Sequence, residues 1–290
     1  MKGQIIRLIS NQYRVILENK EIVDCIARGK IRLGMSPVAG DIVEVATLVD
    51  KYGIEKIYPR KNYLKRPPIA NVDQAIIVMS AVEPDFSTTL VDQLIFLITY
   101  ADIVPTLLIS KMDLVEDHTK IDMIINDYLQ GGYRVITTGK DFENNVELLD
   151  VLSNKITVLA GQSGVGKSSF LNRLNPDFAL ITQEISHALG RGKHTTRHVE
   201  LHRIGDGWVA DTPGFSKLDF SVLDKEGLAR SIIDFLPYQG KCRFRDCLHD
   251  QEPGCAIKEA VDNDLVSKIR YLHYVECLRY IEEGRKDFYD

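Results

Sequence analysis

The sequence lacks any apolar run of about 18 residues, so it offers no candidate for a membrane-spanning helix. Its opening stretch, MKGQIIRLIS, has no long apolar segment leading to a small-residue cleavage site, and no signal peptide is expected. Cysteine is scarce, five in 290 residues, too few for a disulfide framework. These absences together point to a cytoplasmic protein. No internal repeat or low-complexity run is visible. What is present is 44% hydrophobic and 27% charged residues, the balance of a packed globular chain. Its length suggests two or three domains.

The net charge of −5 is unevenly spread. Residues 1–68 hold 13 basic against 7 acidic side chains, a balance of +6, whereas residues 69–220 hold 12 against 20, or −8. A basic segment on an acidic protein is a candidate nucleic-acid surface. That segment reads as short strands (GQIIRLIS, YRVIL, EIVDCIA, DIVEVATLV, YGIEKIYP) broken by Asn, Gly and Pro. Five strands in this length suit an OB-fold barrel, a common oligonucleotide binder, and an SH3-like barrel nearly as well. Arg66-Pro67-Pro68 is a stiff, helix-incompatible junction. A domain boundary is expected there, giving a first domain over 1–68.

Beyond it the pattern changes. QAIIVMSAV, VPTLLIS, YRVITTG and KITVLAG read as strands, the first two continuous apolar runs of the kind buried on both faces of a parallel sheet. TTLVDQLIFLITYAD, TKIDMIINDYLQGG, NNVELLDVLSN and GKSSFLNRLN read as helices between or after them. VELHRI and GWVADT are further strands. The alternation predicts a doubly wound α/β domain over about 69–222. Residues 223–290 lack such strands and read as a small, mostly helical appendage.

Residues 161–168, GQSGVGKS, match the phosphate-binding pattern G-x-x-x-x-G-K-[ST] between a strand and a helix. Gly161, Gly164 and Gly166 let backbone N–H groups face an anion, with Gln162, Ser163, Val165 and Ser169 completing the loop. Lys167 would reach the β- and γ-phosphates and Ser168 would coordinate Mg²⁺. Downstream, Asp211-Thr212-Pro213-Gly214 follows an apolar strand. There Asp211 would hold the Mg²⁺ shell and the Gly214 N–H would meet the γ-phosphate. Between the two lies GRGKHTTRH. Thr195 and Thr196 are equal candidates for contact with Mg²⁺ and the γ-phosphate. Where a Ras-like enzyme has a water-orienting Gln after this glycine, the sequence has Phe215, so intrinsic hydrolysis should be slow. His194 is the nearest candidate to position water, and equally a candidate for a phosphate or partner contact.

Ser110-Lys111-Met112-Asp113 closes an earlier strand. A carboxylate there can accept from both N1–H and the N2 amine of guanine, and adenine offers neither in that arrangement. Asp113 suits this role, with the Lys111 stem over the base. Ser110 stands where Asn is more usual and is a shorter tie to the phosphate loop. Thr137-Thr138-Gly139 ends the next strand and would bring a backbone N–H to the guanine oxygen. The base reader thus precedes the phosphate loop, the reverse of the ordinary order, as in a circular permutation. Finally, Cys242, Cys247, His249 and Cys255 follow C-x₄-C-x-H-x₅-C, four ligands that would close a structural Cys₃His zinc site. Lys241, Arg243 and Arg245 beside them are fit to meet phosphates. Cys25 and Cys277 stand apart.

In combination GQSGVGKS, GRGKHTT, DTPGF and this cysteine spacing resemble the ribosome small-subunit-dependent GTPase A (RsgA) family over nearly the whole chain. The resemblance implies a circularly permuted α/β P-loop GTPase domain, an N-terminal all-β OB-fold that contacts rRNA, and a C-terminal mostly helical zinc-binding domain. It implies a bacterial GTPase that binds the immature small ribosomal subunit, acts late in its assembly and is stimulated by it. Mg²⁺ with GTP and one structural zinc are the implied cofactors. Nothing in the sequence demands a dimer. Two rivals carry distinct expectations: an RNA-binding module with a merely stabilising nucleotide, and a P-loop ATPase or small-molecule kinase.

Overall fold

A computed structural model describes residues 1–9, 12–27, 35–49, 51–65, 67–140, 145–162, 164–174, 199–215 and 220–286. For residues 9, 145–147, 168, 211–215, 221 and 284–286 the backbone alone is described. In chain order the elements begin with strands β1 (Lys2–Ile9), β2 (Gln12–Leu17), β3 (Ile22–Ala27), β4 (Ile42–Thr47) and β5 (Tyr52–Ile57). A short hairpin follows, β6 (Tyr63–Lys65) and β7 (Pro68–Ala70), and then β8 (Gln74–Ser80) and α1 (Thr88–Tyr100). Next come β9 (Val104–Ser110), α2 (Thr119–Gln130), β10 (Arg134–Thr137), α3 (Asn145–Leu152) and β11 (Ile156–Ala160). After α4 (Lys167–Leu174) come β12 (Glu200–Ile204) and β13 (Gly207–Phe215). The chain ends in α5 (Lys225–Ser231), a 3₁₀ segment (Ile233–Tyr238), α6 (Ala256–Asp262) and α7 (Lys268–Lys286). Among the described residues no helix is long and apolar enough to cross a membrane.

The chain divides into two compact units. One comprises Met1–Gln74, Glu143–Leu159 and Lys167–Pro213. The other comprises Ala75–Phe142, Ala160–Gly166 and Gly214–Asp290.

In the first unit, β2 and β3 alternate exposed and buried residues, the period-two pattern of a strand with one face on a core. The five strands close into a ring. β1 pairs with β2, β2 with β3, β3 with β5 in parallel, β5 with β4, and β4 back to β1. This is the OB-like five-stranded barrel, filled by side chains such as Ile5, Val15, Cys25, Val43 and Ile54. The register of β1 against β2 shifts between Ile5 and Arg7, an irregularity of the kind that bends a strand locally, and the pairing continues to Ile9. Beyond that shift Arg7 lies opposite Glu200 of β12, and their side chains form an ion pair at 3.0 Å. The strand order of this unit is therefore β11-β13-β12-β1-β2-β3-β5-β4.

At the barrel's end, the fully buried Asp41 carboxylate takes both Arg60 Nε (2.6 Å) and Nη2 (2.8 Å) and the Val38 N–H. The expected stiff junction falls at the β6–β7 hairpin, in which Pro68 lies opposite Lys65; Arg66 lies outside the described residues.

In the second unit, β8, β9 and β10 lie side by side, β9 and β10 parallel. All of β8 is buried, as is β9 after its first residue, the burial expected of strands inside an α/β sheet. Helix α1 starts at Ser87, whose side chain accepts from the Leu90 N–H, and most of its residues are buried. Buried among them is Asp92. Facing it from α7 is Arg270, itself 1% exposed. The guanidinium meets Asp92 (3.4 Å), Asp127 (2.7 Å) and Asp234, and lies over the rings of Tyr128 and Tyr133 at 4.5 and 4.9 Å. The Tyr128 hydroxyl and the His273 ring complete the Asp92 carboxylate's partners at 2.8 and 2.6 Å. One cation thus fastens α7 to α1, α2 and the 3₁₀ segment. A second tie is the Tyr100 hydroxyl, which donates to Asp224, the N-cap of α5, at 2.6 Å.

Candidate nucleotide and metal sites

The phosphate-loop residues 161–166 leave the end of β11, whose five residues are all buried. Gly161 has φ +126°, and a Cβ there would stand 2.1 Å from the Val78 carbonyl oxygen of β8. Only glycine fits both constraints. Gly164 and Gly166 also have positive φ, +83° and +98°. Such reversals turn successive N–H groups toward one anion. Val165 between them is fully buried and anchors the turn. Gly161→Ala must displace β8 or the loop, at a strain of about 1–3 kcal/mol. The expected outcome is at least a roughly tenfold loss of affinity for a fluorescent GDP analogue in titration.

The base-reading stretch lies in the same unit. The buried Ser110 hydroxyl, at the end of β9, donates to the Val165 carbonyl at 2.6 Å and lies 3.3 Å from the Met79 carbonyl. The tie to the phosphate loop expected of this position is therefore made directly by serine. Lys111 takes the left-handed conformation, φ +60°, and its ammonium donates to the Glu83 carbonyl. That anchors a tight turn, Met112–Leu114. The Met112 N–H donates to the Thr138 carbonyl (3.1 Å) and the Thr138 N–H to the Ile109 carbonyl (2.7 Å). The two segments thus meet, and a Cβ on Gly139 would stand 3.0 Å from Asp113 Oδ1. Asp113 itself is exposed, its carboxylate open to a ligand.

Lys167 opens α4, and burial lowers the pKa of its ammonium, so a phosphate beside it would restore lost stabilisation. Ser168 and Ser169 occupy the first turn of the same helix, and Gln162 is half-buried. Asp211 sits in β13 opposite Glu200 of β12, with Gly214 near the end of that strand. Ser163, His194, Thr195 and Thr196 lie outside the described residues.

The four predicted metal ligands converge. Cys242, Cys247, His249 and Cys255 bring their ligand atoms within 4.8 Å of one another. A tetrahedral zinc with bonds of about 2.3 Å to sulfur and 2.05 Å to nitrogen would set S···S edges near 3.8 Å and S···N edges near 3.6 Å. The Cys242–Cys255 Sγ distance is 3.9 Å, and His249 Nδ1 lies 3.6 and 3.4 Å from those two sulfurs. The donor set therefore fits a closed four-ligand site. Burial pushes the Cys247 thiol up to about 12 and raises that of Cys255, so these thiols need a cation to ionise. Burial also lowers the His249 pKa, against a weaker opposing effect of Glu252, and keeps the ring available as a neutral donor. Cys25 and Cys277 are buried elsewhere, in β3 and α7.

Sequence reasoning missed the parts that seat these groups. The Val78 carbonyl, the Glu83 carbonyl, and the side chains of Glu252, Tyr271 and Tyr274 carry no motif. Only Glu252, close to two ligands in sequence, had a signal to follow.

Known proteins agree with this geometry. The model of the family described as RsgA GTPase matches residues 57–221, and that of the RsgA N-terminal domain matches residues 2–54. The chain belongs to the RsgA GTPase family. RsgA proteins similar to it include the small ribosomal subunit biogenesis GTPase RsgA of Bacillus pumilus (strain SAFR-032), 47% identical over 98% of each chain. The protein of that name from Bacillus subtilis (strain 168) is 45% identical over the same shares. Among solved structures, the circularly permuted GTPase YloQ matches with a TM-score of 0.83 at 40% identity, over 98% of this chain and 95% of its own. YjeQ from Thermotoga maritima matches with a TM-score of 0.82 at 34% identity, over 97% and 98%. The chain is a P-loop GTPase with permuted motif order, an OB-like barrel before the GTPase motifs and a Cys₃His cluster after them.

Proposed function

We propose that this GTPase binds the small ribosomal subunit, acts late in its assembly, and hydrolyses GTP to GDP and phosphate under stimulation by the subunit. The carrying observation is the pair of relatives named small ribosomal subunit biogenesis GTPase, aligned over 98% of both chains. The meeting of Asp113, Gly139 and the Ser110-tethered phosphate loop supports guanine as the base.

The roles divide as follows. Asp113 accepts from N1–H and the N2 amine of guanine, while Ser110 and Lys111 hold its loop. Residues 161–166 cradle the phosphates with their N–H groups, and Lys167 neutralises the β- and γ-phosphates. Mg²⁺, bound with GTP, screens phosphate charge; Ser168, Asp211 and one of Thr195 and Thr196 offer it oxygen ligands. The Gly214 N–H reports the γ-phosphate. No glutamine orients the water, and His194 is the chain's candidate, completed by the subunit.

Residues 1–68 form the rRNA-binding barrel, 69–222 the GTPase domain and 223–290 the zinc domain. The barrel's basic excess, with Lys2 and Lys56 ammonium groups over the Tyr58 ring at 5.7 and 4.9 Å, suits a phosphate backbone with stacked bases. Zinc is the metal that best suits three thiolates and an imidazole. The protein works as a cytoplasmic monomer.

Hydrolysis of GTP and of ATP by the purified chain, alone and with small ribosomal subunits, tests this reading. Slow GTP turnover that rises at least about tenfold with the subunit is expected, with no ATP turnover. ATP turnover would overturn the base assignment. GTP turnover indifferent to the subunit would overturn the partner.

A further inference from the structure

The Cys/His cluster raises a problem that its four ligands do not solve. His249 sits at φ +60°, in the left-handed region that few residues other than glycine enter, histidine being among those that do so more often. Three side chains hold the backbone on either side of it. The Glu252 carboxylate spans the residue, with Oε1 accepting from the Leu248 N–H at 2.7 Å and Oε2 from the Asp250 N–H at 3.0 Å. On the other side, the Tyr271 hydroxyl donates to the His249 carbonyl at 2.8 Å, and the Tyr274 hydroxyl donates to the Leu248 carbonyl. Left-handed backbone at one residue makes the flanking N–H groups converge, which is the geometry of an anion-binding nest. Here the anion is internal.

We infer that Glu252 is a positioning residue for the metal centre: it touches no metal, but locks His249 in the conformation that aims Nδ1 into the thiol cluster. The inference rests on the reading of this cluster as a zinc site. Glu252 is not a fifth ligand: the ligand atoms that converge are those of Cys242, Cys247, His249 and Cys255, and its carboxylate is not among them. Nor does its charge assist, because a carboxylate beside three thiolates repels them. Its contribution is the pair of hydrogen bonds, and this separates it from a bystander.

The test uses the full-length, zinc-loaded protein and follows zinc release to a colorimetric chelator, with wild type, Glu252→Gln and Glu252→Ala compared. Gln251→Ala, at an exposed neighbour, is the control. The glutamine can accept one N–H but turns its own NH₂ against the other, and the alanine accepts neither. Zinc affinity is therefore expected to fall in the order wild type, Gln, Ala, with a total loss of about 10–100-fold. Far-UV circular dichroism in excess zinc shows whether each variant is folded; if the alanine form is not, the glutamine form carries the comparison. A role through charge alone predicts the reverse, tighter zinc in Glu252→Gln, and that result overturns the inference. Release from both variants at the wild-type rate overturns it too. A wild-type protein that takes up no zinc sinks the zinc reading itself, and is distinguished by metal content before any variant is made.

Discussion

Lys167→Ala is expected to reduce subunit-stimulated GTP hydrolysis by at least about 10²–10³-fold, the usual effect of removing one donor that meets charge developing in the transition state. The loop ahead of Lys167 supplies neutral N–H dipoles from a turn set by three positive-φ glycines. The ammonium supplies the full charge, and burial has already lowered its pKa, so it gains more from a phosphate than a fully solvated lysine would. Lys167→Arg keeps the charge but replaces a compact point with a planar fork. It should recover little of the rate. Single-turnover hydrolysis at saturating GTP, with and without small subunits, separates lost chemistry from lost binding. An alanine variant that retains subunit-stimulated hydrolysis within about tenfold of wild type would remove Lys167 from the mechanism.

Arg270→Met should cost about 3–5 kcal/mol of unfolding free energy, the penalty for removing one partner of a buried ion pair. Methionine preserves much of the stem's packing but leaves Asp92 and Asp234, both buried, without their cation. The exposed pair Arg14–Asp24 provides the contrast. Its geometry is good, 3.0 Å, yet both side chains are roughly half exposed, and Arg14→Ala should cost less than about 1 kcal/mol. Urea denaturation followed by circular dichroism would measure both. Similar small losses in the two variants would mean that the cost of desolvating the guanidinium offsets its attraction to the three carboxylates.

The elements of this fold were legible where one physical signal dominated. β8 and β9 are uninterrupted apolar runs because both faces are covered, and β2 and β3 alternate because one face is wet. The glycines at 161, 164 and 166 announced a backbone that other residues resist. The four zinc-type ligands were legible because they lie close in sequence. What could not be read was any partnership across distance between groups of ordinary type. Ser110 looked like a shortened substitute for asparagine, and only the fold brings the Val165 carbonyl within its reach. Arg270 looked like one more cation in an amphipathic helix, and nothing local marks Asp92, Asp127 and Asp234 as its partners. Arg66-Pro67-Pro68 was legible as a break in helix potential, but the register that sets Pro68 opposite Lys65 depends on the strands β6 and β7.

The pairing of β1 with β12 sets a timetable for synthesis. Residues 2–57 contain every strand of the barrel, so the ring can close while most of the chain is still unmade. Arg7, however, waits for Glu200. At about 5–20 residues per second, roughly 7–30 s pass between the last barrel strand, which ends at Ile57, and Glu200. During that interval the end of β1 beyond its register shift is an unpaired strand edge on a folded nascent domain, available to whatever else the ribosome's exit presents.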